Sequence, residues 1–185
     1  SHIITCLVEG EFMQMEDVYR IDQGIDRYMT KTQKKTADFM EGCMELGGLL
    51  GGWSSDEIMY LKRYGHALGM AFQITDDIMD YRETSDTTGK PVGNDLREGL
   101  LTYPLLSIVN ERNQKQLLQD IKNLNYGGNE QEIIDYVIAQ GGIDNTLLVA
   151  QQYCDDALSA LQSIRDFDGK EFLVLAVQNL ADRKV

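Results

Sequence analysis

Apolar residues recur at three- and four-residue spacings along most of the chain, and the alternation expected of strands is nearly absent, so the pattern predicts an all-α protein. A first helix is predicted over about Ile3 to Glu16 and a second from about Gly24 to Leu50, stopped by Gly51 and Gly52. The third opens at Ser54, where Glu57 completes a capping box, and runs to about Glu83. A polar loop, TSDTTGKPVGNDLREG, follows from Thr84 to Gly99. Beyond it TYPLLSIVNER, NEQEIIDYVIAQGG, NTLLVAQQYCDDALSALQSI and EFLVLAVQNLADRK predict four further helices, with Tyr, Met and Leu on their inner faces as core.

The third helix breaks the simple pattern, because its stretch FQITDDIMD sets Asp76, Asp77 and Asp80 among side chains suited to an interior. On a helical wheel with Asp76 at zero, Asp80 falls near about 40°, Gln73 near about 60°, His66 near about 80° and Asp77 near about 100°. Lys62 and Gly69 share the sector. Most of the remaining circumference carries Tyr64, Leu68, Met70, Ala71, Phe72, Ile74, Ile78, Met79 and Tyr81, with Thr75 the main exception. A helix apolar over most of its girth is surrounded by protein, so the narrow polar stripe faces a slit of solvent or a cavity.

On an exposed face, carboxylates one turn apart repel by only about 0.2 to 0.5 kcal/mol, and a solvated acidic face is then a sufficient account of the cluster. In a walled cavity the cost rises to several kcal/mol per ion unless it is compensated. A divalent cation supplies that compensation, and oxygen-only ligands favour Mg²⁺, which shares its remaining positions with water and phosphate oxygens.

Charge and composition narrow the field further. Thirty acidic against 17 basic residues give a formal charge of −13, which repels nucleic acid and anionic membrane surfaces. A phosphate-bearing substrate therefore needs local cations. On the second helix, Lys35 and Thr36 share a sector with Tyr28, Thr32, Phe39, Cys43, Leu46 and Leu50, where a lysine either snorkels outward or points at an anion. In the loop, Lys90 stands between Gly89 and Pro91, with Gly93 nearby, either as part of a plain turn or as an anion contact. The spacing there is not that of a nucleotide phosphate loop, and no Ser/His/Asp or Cys/His arrangement is legible. His66 reads as a hydrogen-bonded structural residue rather than a general base. Cys6, Cys43 and Cys154 are odd in number and far apart, which argues against a disulfide framework or zinc site and points to a reducing, cytoplasmic compartment. No apolar run is long enough to span a bilayer.

KTA at Lys35 to Ala37, FQITDDIMD at Phe72 to Asp80, GKPVGNDLREG around Lys90 and LTYPLL at Leu101 to Leu106, in that order, resemble the carboxyl-terminal portion of the trans-type polyprenyl diphosphate synthases. The resemblance covers essentially the whole chain. It implies a single domain over residues 1–185, an isoprenoid-synthase-type helical bundle truncated at its amino-terminal side, whose cavity is lined by two facing aspartate-rich motifs. Asp76, Asp77 and Asp80 match the second. By that match Asp76 and Asp80 hold Mg²⁺ bridging to an allylic diphosphate, with Asp77 assisting directly or through water. By the same match Lys35, Thr36, Gln73 and Lys90 contact diphosphate oxygens; separately, composition alone predicts that the GKPVGND loop, flanked by Thr84 to Thr88, closes over a bound diphosphate. The implied reaction condenses an allylic prenyl diphosphate with isopentenyl diphosphate to form a medium- or long-chain trans product.

Two departures stand beside the match. The family's first aspartate-rich motif and the arginines that follow it have no counterpart, and Leu100 occupies a position where many relatives carry Lys. A non-catalytic partner subunit and a terpene cyclase of the same fold are the alternative readings. The resemblance also implies a homodimer or heterodimer, and half a bundle leaves apolar helix faces bare.

Overall fold

The structure, a computed structural model, describes residues 2–82 and 93–182, and the regular elements among them are all helical. In chain order they are α1 (His2–Glu16), α2 (Gly24–Thr32), a π-helical turn (Gln33–Ala37), α3 (Asp38–Leu50), α4 (Ser55–Arg82) and α5 (Asn94–Glu98). Then come α6 (Tyr103–Leu106), α7 (Gln114–Asn123), a short 3₁₀ turn (Leu124–Tyr126), α8 (Glu130–Ala139), α9 (Gly142–Gln162) and α10 (Lys170–Ala181). Residues cluster into two compact units. One takes in Thr30–Gln73 with the stretches up to Glu11 and from Leu148; the other comprises Phe12–Met29 and Ile74–Leu147.

The first unit is built on a core of Leu61, Tyr64, Ala67 and Ala71 from α4, Cys154, Ala157, Ala160 and Leu161 from α9, and Val177 and Leu180 from α10. The many alanines let helix backbones approach closely, and the buried Tyr64 hydroxyl donates to the Leu173 carbonyl at 3.0 Å. The predicted capping box opens α4: the Ser54 amide donates to Glu57 Oε2 at 3.0 Å and the Glu57 amide donates back to Ser54 Oγ at 3.4 Å. Glu57 also pairs with Arg165 at 2.9 Å, and that guanidinium lies over Trp53, whose ring meets Phe167 edge-on. In contrast to this core, Phe39, Leu46, Leu49 and Leu50 of α3 are exposed, Leu50 by 81%, so the apolar side of the second predicted helix is bare toward its end.

The predicted helix from Gly24 to Leu50 is interrupted where KTA lies. Gln33–Ala37 form a π turn pressed against two glycines of the same unit. A Cβ on Gly10 of α1 would lie 2.8 Å from the Lys35 backbone nitrogen, and one on Gly69 of α4 would lie 2.7 Å from the Ala37 Cα. Only glycine admits this approach, and single π turns of this kind are frequent at functional sites.

In the second unit Leu96, Leu101, Leu105, Ile121, Ile134, Val137 and Ile143 are fully or almost fully buried. Three sequence expectations need correction here. The polar stretch read as loop to Gly99 contains α5, which polar neighbours disguise although Leu96 is completely buried. TYPLLSIVNER makes only one helical turn, Tyr103–Leu106, and further on the Asn110 side chain accepts from the amides of Arg112 and Asn113 at 2.9 and 3.3 Å, which holds that stretch in a local turn. QKQLLQDIKN forms α7, unpredicted because only Leu117 and Ile121 are buried and the rest is polar. Lys90, and the loop around it predicted to close over a diphosphate, lie outside the described residues.

The close approach at Gly69 has a measurable consequence. Gly69→Ala is expected to lower stability by about 1 to 3 kcal/mol, because its methyl meets backbone that has no room to shift. Gly47→Ala on α3, where an added Cβ meets nothing within 4 Å, should instead raise stability by roughly 0.5 to 1 kcal/mol. Urea unfolding of the two variants reads the difference.

Candidate active site

The aspartates of α4 satisfy their charge in three different ways. Asp76 is exposed to solvent. Asp80, one turn on, is partly buried, and its carboxylate accepts from the backbone amides of Asn94 at 3.0 Å and Asp95 at 3.1 Å. These amides are the unpaired donors of the first turn of α5, whose N-cap, Gly93, has no side chain to offer them. The Gly93 amide itself donates to the Asp80 carbonyl at 2.9 Å, so the end of α4 holds the start of α5 by three bonds.

Asp77 is the correction to the helical wheel, which groups it with the polar stripe. It is only 5% exposed, and its Oδ2 accepts from the hydroxyl of Tyr28 at 2.6 Å. At about 100° from Asp76 it stands at the border of the stripe, and tertiary packing turns it inward. Tyr28 had been legible only as one apolar-side residue of α2.

Asp95 joins the group unpredicted, because it lies in what reads as polar loop. Burial, then the negative charges of Asp80, Asp77, Glu98 and Asp76, push its carboxyl up to about 7. Asp80 is raised in the same way, by burial first, with the Asn94 and Asp95 amides opposing and Glu98 and Asp76 adding to the rise. Oxygen-only donors with this excess of negative charge suit a hard divalent cation, so the residues present fit Mg²⁺.

In the other unit, Thr36 Oγ1 donates to Gln73 Oε1 at 3.0 Å, which sets the orientation of the amide. Lys35, read as either snorkelling or facing an anion, pairs with Glu11 at 2.9 Å. His66 stands 3.5 Å from Glu41, and with Asp38 these residues bring potential ligand atoms within 4.8 Å of one another. Lys62 already places a cation there, 3.4 Å from Glu41 and 3.1 Å from Glu45.

The chain belongs to the polyprenyl synthetase family, whose profile matches residues 1–140. It is 33% identical over 178 residues to the octaprenyl diphosphate synthase of Escherichia coli, covering 94% of this chain and 55% of the relative. It is 31% identical over 155 residues to component 2 of the heptaprenyl diphosphate synthase of Geobacillus stearothermophilus, covering 84% of this chain and 48% of the relative. Among solved structures, a heptaprenyl diphosphate synthase from Staphylococcus aureus superposes with a TM-score of 0.87 at 28% identity, over 99% of this chain and 58% of that one. A polyprenyl synthase from Caulobacter crescentus, complexed with calcium and isoprenyl diphosphate, gives 0.87 at 28% identity, over 99% and 57%. The chain thus spans about half the length of the curated relatives it matches. No helix among the described residues is long and apolar enough to cross a membrane.

The structural role of Asp80 can be read without any metal. In Asp80→Ala the amides of Asn94 and Asp95 lose their acceptor, a loss of about 1 to 2 kcal/mol locally, and their hydrogen exchange should quicken by about tenfold. Asp76→Ala should leave both amides unchanged, as NMR-detected exchange would register.

Proposed function

We propose that the protein carrying this chain is a trans-polyprenyl diphosphate synthase, condensing an allylic prenyl diphosphate with isopentenyl diphosphate into a medium- or long-chain product. The observation that carries this reading is the gathering of Asp76, Asp77, Asp80 and Asp95 around the end of α4, inside the family's ordered motifs. The octaprenyl and heptaprenyl products named for its relatives support the chain-length class. That a relative was solved with calcium and isoprenyl diphosphate supports the ligand chemistry.

In this reading Asp76 and Asp80 hold Mg²⁺, and Asp77 serves from beneath through its bond to Tyr28. The bound ion supplies Lewis-acid stabilisation of charge accumulating on the departing pyrophosphate. Gln73 and Lys90 donate to diphosphate oxygens, and Thr36, whose one hydroxyl proton goes to Gln73 Oε1 here, turns that proton to the diphosphate when it binds. Lys35 exchanges its carboxylate partner Glu11 for the same anion. The allylic carbon–oxygen bond breaks, the isopentenyl double bond attacks the allylic cation, and proton loss leaves a new trans double bond. No protein nucleophile takes part.

A homodimer or heterodimer is the proposed assembly, and the name of the Geobacillus stearothermophilus relative, a component 2, favours testing a partner subunit as well. We propose a cytoplasmic location from the acidic charge and the unpaired cysteines, although a Neurospora crassa relative is named as mitochondrial.

Full-length protein incubated with Mg²⁺, an allylic diphosphate and labelled isopentenyl diphosphate should yield elongated product. Asp76→Ala or Asp80→Ala should slow it by about 100-fold or more, the scale for losing one element of transition-state charge stabilisation. No elongated product, with partner subunits supplied, overturns the proposal. Undiminished turnover by the variants in an assembled pair would instead identify a non-catalytic subunit.

A further inference from the structure

We propose that Tyr28 is a positioning residue for the metal-binding edge of α4, acting through Asp77; this rests on the reading of Asp76 and Asp80 as the metal ligands. Tyr28 is 1% exposed, and its hydroxyl reaches the 5%-exposed Asp77 carboxylate at 2.6 Å. The phenol is fixed from a second side by Tyr103, whose ring meets it edge-on with centroids 5.7 Å apart at 67°. Next to it on α2, Arg27 anchors the backbone, its Nε donating to the buried Asp17 at 2.6 Å and its Nη2 to Glu16 at 2.8 Å. Tyr28 therefore meets Asp77 from a support that is itself tied down.

The chemistry of the donor matters as much as its placement. A carboxylate this deeply buried needs a strong hydrogen bond, and a short one from a hydroxyl is among the strongest available. A lysine or arginine in the same place would satisfy Asp77 equally well, but its full charge would compete with a divalent ion for the field of Asp76 and Asp80. The phenol donates to the buried carboxylate and adds no net charge of its own.

Direction is the second contribution. Ile74, Ile78 and Tyr81 bury the apolar faces of this part of α4, yet apolar contacts are non-directional and tolerate small rotations about the helix axis. The bond to Asp77 is directional. Because Asp76 and Asp80 sit at set angles from Asp77 on the same helix, holding Asp77 inward fixes the azimuth at which the other two present their oxygens. Tyr28 thereby does for Asp76 and Asp80 what outer-shell partners do for metal ligands elsewhere.

Mn²⁺ binding to the full-length protein, followed by the electron paramagnetic resonance of the free ion, tests this without turnover. In Tyr28→Phe, shown folded by circular dichroism at the assay temperature, Mn²⁺ affinity should fall by about tenfold, the scale for loss of an outer-shell partner. Asp77→Ala should produce a similar loss, and the Y28F/D77A double variant should be no weaker than D77A alone, since both act through one bond. Affinity within about twofold of the parent in a folded Y28F, or losses that add in the double variant, overturn the inference. Should Y28F fail to fold, D77A decides: unchanged Mn²⁺ affinity in that variant overturns it too. If Mn²⁺ binding survives the D76A/D80A double substitution, the metal site itself has been misassigned, and that failure is distinct from a neutral Y28F beside a lost site.

Discussion

Negative charge inside an apolar helix has to be answered locally, and that constraint organises the end of α4 and what surrounds it. Each aspartate meets it by a different route. Solvent answers Asp76, a phenol answers Asp77, and the unpaired amides that open α5 answer Asp80. Neither the phenol nor the two amides carries a formal positive charge. Burial first, and the neighbouring carboxylates after it, raise the Asp80 and Asp95 carboxyls. On the proposed reading, a divalent cation completes the charge balance of this cluster.

The KTA segment obeys a different constraint, one of volume rather than charge. Its π turn passes between glycines of α1 and α4 that leave no space for a methyl group, so the backbone carrying Lys35 and Thr36 is held by packing on both sides. Rigid backbone is what a diphosphate contact needs, since donors placed beforehand lose less freedom on binding. The lysine is meanwhile held by Glu11, an anionic partner of the kind a diphosphate would replace.

Much of this was legible in the amino-acid order. The helical period, the glycine stop after Leu50 and the Ser54–Glu57 capping box are local features, decided by side chains within one turn of one another. For the same reason the sector shared by Asp76, Asp80 and Gln73 could be drawn on a wheel. What failed was also physical. The short α5 escaped notice because one buried leucine anchors it among polar neighbours, and α7 because two apolar residues suffice for its contact. The end of TYPLLSIVNER is not helical, and there an asparagine side chain takes the backbone amides of Arg112 and Asn113.

The family membership, the all-helical class and the spacing of the acidic residues along one helix were therefore determined by the sequence, since each depends on order along the chain. Which aspartate faces solvent and which is buried was decided only in the folded protein. Asp77 and Tyr28 are separated by 49 positions, and Asp80 meets its amides 14 and 15 residues away. A hydrogen bond between residues so far apart has no periodicity to betray it. It exists because the helices that carry its two ends are packed together, and only tertiary structure brings a donor to a buried charge.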